Sequence, residues 1–470
     1  MSNFQALVSN LFGDRGLILL TLVFFLTIPL LTPRVAASDE IEYFSYLHSL
    51  VFDHDLNFLN EYQHYCNLDY DDCEQSRFSE TFIQSKTATG LQINFGPIGS
   101  AVMWLPFYLV AHLIALGLGS ADGYSAPYVY AISFASMLYG WIGIILSYKL
   151  ARGYVEEKIA LGAALVILFA TNAVYYLYVA PAMSHANSLL ASALFVFVWF
   201  RTRASRAQGN LRGWAWLGAC GALMTMVREQ EAIFGMIPLV ETVYLAAKGI
   251  KKAGTNSPQQ PSWPSQLLGL GAMVGAWIVV FIPQLLVYGA LNGNYLPARD
   301  VTQKFTFDGA HIGDILFSSL HGLFSWTPVT LLAVAGLVLL WRRDKITAVT
   351  FGLTFAAEVY LLGSFSTWFG GAAFGMRRFV NCTVLFVVGL ALLIDELRKR
   401  ISLRILTGAG GVFIVWNLFF IVQFATGLIP RAEPIDPSRF VYDQVFTVPG
   451  RLADIVWRFI FARASFFRQQ

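Results

Sequence analysis

Long apolar runs recur along this chain of 470 residues, and they constrain its fold more than any other feature. A helix needs about 17 to 25 apolar residues to cross the hydrocarbon core of a bilayer, and many of the runs have this length. Hydrophobic residues make up 56% of the chain and charged residues only 13%, which is typical of a chain that lies mostly in lipid. The sequence therefore predicts an all-α polytopic membrane protein.

The apolar runs predict about 11 transmembrane helices. They lie near residues 16–32, 126–150, 159–177, 185–200, 214–227, 231–247, 266–290, 323–341, 346–364, 379–396 and 403–424. The first run is followed by Pro33 and Arg34 rather than by a small-residue cleavage site, so we expect a retained span rather than a signal peptide.

Clusters of basic residues set the expected orientation, because Lys and Arg prefer the cytoplasmic side of short loops. Five clusters are predicted to be cytoplasmic: Lys149, Arg152 and Lys158; Arg201, Arg203, Arg206 and Arg212; Lys248, Lys251 and Lys252; Arg342, Arg343 and Lys345; and Arg398, Lys399, Arg400 and Arg404. Residues 34–95 instead hold eleven acidic residues and three basic ones, which favours the outer side. We expect a cytoplasmic N-terminus and an extracytoplasmic tail over 425–470, in a bacterial inner or plasma membrane.

The number of membrane crossings, odd or even, determines how residues 97–118 are interpreted. An outer loop over 34–95 and a cytoplasmic cluster at 149–158 require an odd number of crossings between them, yet two apolar runs are present. The run over 97–118 contains Pro106 and His112, so we interpret it as an interfacial or re-entrant helix that does not cross the membrane. In the alternative, the cluster at 149–158 is an exception to the positive-inside tendency.

Two of the four cysteines lie in the acidic outer loop. Cys66 and Cys73 have six residues between them and face a compartment in which disulfides persist, so we predict a bridge. Metal binding is the alternative, because the aspartates of 69–72 fall between the thiols, although the sequence offers no second ligand pair at zinc spacing. Cys220 and Cys382 lie within predicted spans and are interpreted as small packing residues.

Asp39 and Glu40 stand directly after the first predicted span, where two adjacent carboxylates are costly unless they have a function. The following segment, 42–52, has four apolar residues at helical spacing: Tyr43, Leu47, Leu50 and Val51. This pattern predicts an amphipathic helix on the membrane surface. A solvated acidic cap is the alternative for the acidic residues of this loop, but it explains Asp39 poorly.

Cations on the outer face lack the positive-inside explanation, and capture of phosphate is the best other reason for them. The candidates are Arg228, Arg299, Lys304, Arg377 and Arg378. For Arg228 taken alone, an ion pair with Glu229 or Glu231 would be an equally good explanation.

Two partner classes are not expected. The chain has no basic tract with interleaved aromatic residues of the kind that binds nucleic acid. It also has no phosphate-cradling glycine loop, so hydrolysis of ATP is not expected.

Several short motifs, in order along most of the chain, resemble those of the GT-C superfamily of glycosyltransferases. They are Asp39-Glu40 with Tyr43, Gly-Pro-Ile-Gly at 96–99, Ala-Pro-Ala-Met-Ser-His-Ala at 180–186, Leu-Gly-Ala-Cys-Gly-Ala-Leu-Met-Thr-Met-Val-Arg at 217–228, and Gly-Gly followed by Phe-Gly-Met-Arg-Arg at 370–378. The pattern is similar to protein O-mannosyltransferases and lipid A aminoarabinose transferases, which use polyprenyl-phosphate sugars. It implies a GT-C fold over 1–424, with juxtamembrane helices in an extracytoplasmic loop over 34–125.

The resemblance also implies roles for individual residues. Asp39 corresponds to the general base that deprotonates an acceptor hydroxyl as it attacks the anomeric carbon, and Glu40 would orient it or share this role. Arg228 corresponds to a basic ligand of the leaving phosphate, and direct displacement would invert the anomeric carbon. The implied partners are a polyprenyl-phosphate-linked sugar, a lipid, glycan or protein acceptor, and membrane lipids.

The candidate residues for the sugar or acceptor pocket are Glu42, Tyr43, His185, His321 and Trp368. The second outer loop, which carries an acidic residue in several family members, reads Pro-Ala-Met-Ser-His here, so we expect that no metal or other cofactor is required. His185 is a possible ligand or donor, or it caps the next helix. Interfacial packing is the alternative for His321 and Trp368.

Two other functions stay open at this point. A secondary transporter would also use an intramembrane carboxylate and arginines, but we find no internal repeat, and the candidate charges lie at one face. A flippase or ligase of lipid-linked glycans would keep the phosphate-binding arginines without a general base.

Overall fold

The computed structural model describes residues 14–69, 73–251 and 263–466. Helices account for almost all regular structure there, and no β-strand is present among these residues, which form only isolated bridges such as that between Lys86 and Gln92. The predicted all-α fold class is therefore confirmed for the described part of the chain.

The α-helices are numbered along the chain. The first are α1 (Arg15–Thr27), α2 (Ser38–His48), α3 (Leu59–Asp69), α4 (Gly99–Leu118), α5 (Ala126–Ala151), α6 (Glu157–Phe169), α7 (Ala173–Tyr178), α8 (His185–Ala207), α9 (Leu211–Val227), α10 (Met236–Lys251), α11 (Trp263–Asn292) and α12 (Arg299–Thr302). They are followed by α13 (Ile312–Phe317), α14 (Leu323–Trp326), α15 (Val329–Leu337), α16 (Lys345–Gly363), α17 (Thr383–Leu397), α18 (Leu403–Ala425), α19 (Pro437–Tyr442), α20 (Val448–Gly450) and α21 (Leu452–Phe461). Short 3-10 or π-helical segments lie at Ile28–Leu30, Ser49–Asp53, Ser79–Gln84, Glu229–Gly235, Phe307–Gly309, Val338–Arg342, Arg377–Cys382, Asp443–Thr447 and Arg463–Phe466.

Most predicted spans correspond to one helix, but two of them are interrupted. Between α6 and α7, the hydroxyl of Thr171 accepts a hydrogen bond from the N–H of Ala173 at 3.2 Å, which competes with helical main-chain pairing. Between α14 and α15, Pro328 has no N–H with which to continue the first helix. The predictions of continuous spans over 159–177 and 323–341 are wrong in this respect.

Six helices among the described residues are long and apolar enough to cross a membrane. They are Gly99–Leu118, Ala126–Ala151, Trp263–Asn292, Lys345–Gly363, Arg377–Leu397 and Leu403–Ala425, and shorter apolar helices occupy Arg15–Leu30 and Val329–Arg342. These helices support an integral membrane protein, while the number of about 11 spans stays a prediction.

The chain divides into two compact units. The first consists of Met1–Leu146 and Tyr176–Phe305, and the second of Ser147–Tyr175 and Thr306–Gln470. The predicted tail over 425–470 lies in the second unit; residues 426–436 are irregular, and helical segments follow from Pro437. Gln423 of α18 donates to Gln444 of the tail at 2.5 Å.

Helix α2 lies in the core of the first unit. Residues 40–49 are all buried. The ring centres of Tyr46 and Phe58 are 5.1 Å apart, and Trp104 of α4 belongs to the same hydrophobic cluster. The predicted helix over 42–52 is present as far as His48, but its predicted location on the membrane surface is wrong for the buried residues up to Ser49. Neighbouring elements cover the side that the pattern assigns to water, and the polar residues on that side form internal hydrogen bonds instead.

Part of the predicted cytoplasmic cluster at 201–212 is a buried ion pair. Helix α8 continues to Ala207, so Arg203 and Arg206 lie in the helix rather than in a loop. Arg206 donates to Glu241 at 2.6 Å and Arg203 donates to the same carboxylate at 2.9 Å. A guanidinium that is only 1% exposed is tolerated here because its charge is paired.

The cysteines lie where the sequence places them. Cys66 and Cys73 form a disulfide with Cα atoms 5.3 Å apart, within the usual range for such a bridge. Cys220 and Cys382 are buried free thiols. The alternative metal site involves Asp71 and Asp72, which lie outside the described residues.

The orientation of α4 is open to a direct test. If the basic clusters define parity, a reporter fused after Gly119 reports the extracytoplasmic side, as does one fused after Asn60. A cytoplasmic signal at Gly119 together with an outer signal at Asn60 would mean that α4 crosses the membrane. The spans up to residue 200 would then need reassignment.

Candidate active site

Glu40 fixes the start of α2. Its Oε2 accepts hydrogen bonds from the main-chain N–H groups of Ala36 at 2.9 Å and Ala37 at 3.1 Å, groups that the first helical turn leaves unpaired. Burial raises the pKa of this carboxyl, against the lowering effect of the nearby charge of Arg34. Glu40 therefore lies beside the predicted base and holds the backbone that carries it.

Asp39 precedes Glu40 and is half-buried. Residues three and four positions further along a helix lie on the same face, so Asp39 faces Glu42 and Tyr43. Burial, followed by the charge of Asp39, raises the pKa of Tyr43 to about 12. Asp39, Glu42 and Tyr43, three of the four predicted site residues of α2, thus form one polar group within the first unit.

Glu42 connects α2 to the segment that precedes α4. Its Oε1 accepts a hydrogen bond from the N–H of Phe95 at 2.5 Å, and its main-chain oxygen accepts one from the side-chain amide of Asn94 at 2.9 Å. Burial and the negative charge of Asp39 raise the pKa of Glu42 to about 8. The hydrogen bond from Phe95 and the charge of Lys304 lower this pKa, but their combined effect is smaller. Glu42 is therefore largely protonated at neutral pH.

The Gly-Pro-Ile-Gly motif allows two close approaches. A Cβ on Gly96 would lie 2.8 Å from the ring of Tyr43, and one on Gly99 would lie 2.3 Å from the main-chain carbon of Met226. Only glycine permits these distances. The second contact brings the first turn of α4 against the end of α9, where Arg228 follows.

Arg228 reaches the group on α2 through Ser184. Its Nη1 donates to the hydroxyl of Ser184 at 3.1 Å, and that hydroxyl donates to the oxygen of Tyr43 at 3.2 Å. The same Nη1 lies 3.3 Å from Nδ1 of His185, which begins α8 and is 1% exposed. The structure therefore joins four of the predicted site residues, Asp39, Tyr43, His185 and Arg228, in one region of the first unit.

Arg228 also pairs with Glu231. Its Nε lies 3.8 Å from Oε1 of Glu231, a carboxylate that is fully buried and accepts a hydrogen bond from Ser188. The ion pair that the sequence offers as an alternative explanation is thus present. The distance of 3.8 Å is longer than a charge-assisted hydrogen bond, and the side-chain amide of Gln230 lies 2.9 Å from the same Nε.

The other two cations of the first unit differ in their surroundings. Lys304 is half-buried, with its Nζ 5.0 Å from the centre of the Phe95 ring, and its charge acts on Glu42. Arg299 is exposed at the start of α12. Lys304 therefore lies beside the Glu42 region, and Arg299 lies on the surface.

The remaining predicted residues lie in the second unit. His321 is buried, with Nδ1 2.7 Å from the main-chain oxygen of Phe369, while Trp368 stacks on His311 at 5.6 Å. Arg377 and Arg378 begin a 3-10 helix, and the guanidinium of Arg378 lies 4.4 Å from the centre of a phenylalanine ring. The loop before them has glycines with positive φ at 370, 371 and 375, which explains the glycines of this motif.

Several neighbours of the site residues are not apparent from the sequence. Ser184, Ser188 and Asn94 are ordinary polar residues there, and only the folded chain shows that they connect α2, α8 and Arg228. Ser184 lies within the motif at 180–186, whose histidine drew attention instead. The sequence presents Glu231 only as a partner of Arg228.

The first unit brings together two carboxyl groups and two cations. Asp39 offers a carboxylate that is accessible in part, Glu42 offers a protonated carboxyl, and Arg228 and Lys304 offer positive charge. A base and fixed cations in one region are suited to deprotonate a nucleophile and to stabilise an anionic leaving group.

Comparisons with known proteins bear on this site. Residues 128–274 match the sequence family described as dolichyl-phosphate-mannose-protein mannosyltransferase, a segment that contains Ser184, His185 and Arg228. No curated protein sequence matches the chain.

One solved structure is also similar. It is the archaeal oligosaccharyltransferase AglB from Archaeoglobus fulgidus in complex with an inhibitory peptide and a dolichol-phosphate, with 12% identity and a TM-score of 0.44. The similarity covers 97% of this chain and 56% of that one, so this chain spans little more than half of the length of AglB. The family match over 128–274 covers less than half of the chain, and it supports the resemblance that the motifs predict.

Proposed function

We propose that the protein transfers a sugar from a polyprenyl-phosphate donor to a hydroxyl acceptor on the extracytoplasmic face of the membrane, with inversion at the anomeric carbon. The observation that carries this proposal is the connection of Arg228 to Tyr43 through Ser184, at 3.1 and 3.2 Å. This connection joins a cation to the helix that carries Asp39. The matched mannosyltransferase family supports the choice of donor class.

Asp39 is the general base in this proposal. A base must reach the proton that it removes, and Asp39 is the more accessible carboxyl of the adjacent pair, since Glu40 is 1% exposed and bound to two main-chain N–H groups. Glu40 is then a positioning residue that keeps the first turn of α2 in place.

Arg228 and Lys304 are the proposed ligands of the donor phosphate. Charge-assisted hydrogen bonds to phosphate are short, about 2.7 to 2.9 Å, so a phosphate would bind Arg228 more closely than Glu231 does. As the bond to the sugar breaks, negative charge grows on the phosphate oxygens. Cations already held in place stabilise that charge without further reorganisation.

Glu42 supplies a second carboxyl, whose pKa is raised by burial. Its pKa of about 8 leaves it largely neutral at pH 7, so it can donate a hydrogen bond. Two carboxyls whose surroundings separate their protonation states are typical of sites that need one proton acceptor and one donor. We assign Glu42 to positioning the sugar or the acceptor hydroxyl.

The direct test of the proposed function is turnover of a defined donor. Purified protein in lipid nanodiscs is incubated with polyprenyl-phosphate sugars and hydroxyl acceptors, and release of polyprenyl phosphate is measured. Release that depends on an acceptor supports transfer. Movement of intact donor across a bilayer without release would instead identify a flippase.

Asp39→Asn tests the base. The amide keeps the shape of the side chain but does not accept the proton, so we expect donor binding to persist and turnover to fall about 100-fold to 10,000-fold. Glu40→Gln retains an oxygen that can accept from the N–H groups of Ala36 and Ala37, so its loss should be smaller. Near-normal turnover by Asp39→Asn at matched expression would remove this assignment, and a larger loss in Glu40→Gln would move the base by one residue.

Arg228→Ala tests the phosphate ligand. Loss of a charge-assisted hydrogen bond of roughly 1.5 to 3 kcal/mol predicts donor binding or turnover that is weaker by about tenfold or more. Arg201→Ala, an exposed arginine on α8, is the matched control and should behave as the wild type. If Arg228→Ala lowers thermal stability as much as Glu231→Gln does and leaves donor affinity unchanged, Arg228 serves only the ion pair.

Glu42→Gln tests the protonation state. Because the pKa of Glu42 is about 8, its carboxyl ionises as the pH rises through that value, loses its O–H donor and adds a negative charge near Asp39. We therefore expect wild-type turnover to decline as the pH rises through about 8. The Gln variant should keep turnover within a few-fold at pH 7 and lose the decline near pH 8, whereas an unchanged pH profile would contradict the role of Glu42.

A further inference from the structure

A second group of polar residues lies away from the proposed active site, in the loop that follows α2. His48 ends α2, Asp53 ends the π-helical turn Ser49–Asp53, and Glu61 lies in the first turn of α3. One ligand atom from each of these residues lies within 4.8 Å of the others. Three side chains from different elements are therefore close together within the first unit.

The distances place His48 between the two carboxylates. Its Nδ1 lies 2.8 Å from Oε1 of Glu61 and 3.2 Å from Oδ2 of Asp53. The side-chain amide of Asn60 donates to the same oxygen of Asp53 at 2.8 Å and orients it. Hydrogen-bonded neighbours of this kind commonly orient the ligands of a metal ion.

The surroundings of Glu61 are an independent indication that this group binds a cation. Its side chain is fully buried, and its Oε2 has no hydrogen-bond partner. A buried carboxylate oxygen without a partner loses its hydration without compensation. A cation between the three residues would supply that compensation.

The ring of His48 is held in a fixed orientation. It stacks on Phe52 at 4.9 Å and on Tyr124 at 4.1 Å, and a Cβ on Gly123 would lie 2.5 Å from it. Such packing keeps Nδ1 directed toward the carboxylates. The side chain of Asp53 is 31% exposed, which leaves a route from water to the group.

We propose that His48, Asp53 and Glu61 bind a Zn²⁺ ion or a similar borderline divalent metal. Tetrahedral coordination with bonds of about 2.1 Å separates ligand atoms by roughly 3.4 Å, so the His48 distances need to widen by only about 0.6 Å or less. An imidazole with two carboxylates favours zinc over calcium or magnesium, which prefer oxygen ligands alone. A water molecule would complete the coordination.

The ion would connect α2 to α3. His48 lies five residues after Tyr43, so the metal would fix the end of the helix whose beginning is held by Glu40. This role is structural and does not require a metal ion in the proposed transfer reaction.

Zinc binding to the purified full-length protein tests the proposal. Protein stripped with a chelator is titrated with zinc chloride, and bound zinc per chain and thermal unfolding are measured. We expect one tightly bound equivalent that raises the unfolding temperature. In Asp53→Asn and Glu61→Gln, zinc affinity should fall by at least about tenfold.

One control variant, and the partial exposure of Asp53, keep the test specific. Asp314→Asn alters the exposed pair of Asp314 with His311, at 3.0 Å, and should bind zinc as the wild type does. Asp53 is partly exposed, so Asp53→Asn should fold even if the buried Glu61→Gln does not. Equal zinc affinity in the wild type and in folded Asp53→Asn, or no zinc uptake by the wild type, would overturn the proposal.

Discussion

The hydrogen bond from the N–H of Phe95 to the buried carboxyl of Glu42 organises the first unit around α2. A carboxyl in this position would be costly if it were ionised and unpaired, and protonation with a main-chain bond avoids that cost. The bond holds the segment before α4 against α2, which in turn allows Gly96 to contact the Tyr43 ring. Of the proposed site residues, Asp39 and Glu42 lie on α2, and Arg228 reaches α2 through Ser184. Lys304 lies over the ring of Phe95, the residue that donates to Glu42.

Burial gives the acidic residues of α2 different tasks, although they are neighbours in sequence. Glu40 satisfies the start of the helix, Glu42 joins two segments of chain, and Asp39 is left half-buried and able to act on a ligand. Chemical identity alone does not separate these tasks, because all three are carboxyls within four positions. Their differences arise from which main-chain N–H groups are near each one.

Helix type and the order of elements were largely predictable from the sequence, because apolar runs of membrane length have few structural solutions. The sequence also indicated Asp39, Tyr43 and Arg228, since charge at the end of a span is unusual. It did not indicate that residues 40–49 of this segment are all buried. The spacing of Tyr43 and Leu47 defines one apolar face of the helix, and it does not show whether water or another part of the protein, such as Phe58, covers the opposite face. Ser184 was likewise hidden, since a serine becomes a connecting residue only when distant segments meet around it.

The contact of Gly99 with the main chain near Met226 has a mechanical consequence. Where side chains separate two helices, a change of rotamer absorbs a small displacement, but main chain in contact with main chain has no such freedom. Helix α4 exposes a row of apolar side chains, among them Leu105, Leu109 and Leu113, and such a face is suited to contact with lipid chains. A sideways shift of α4 would move the end of α9 with it, and the position of the Arg228 guanidinium would then respond to the thickness and composition of the surrounding bilayer.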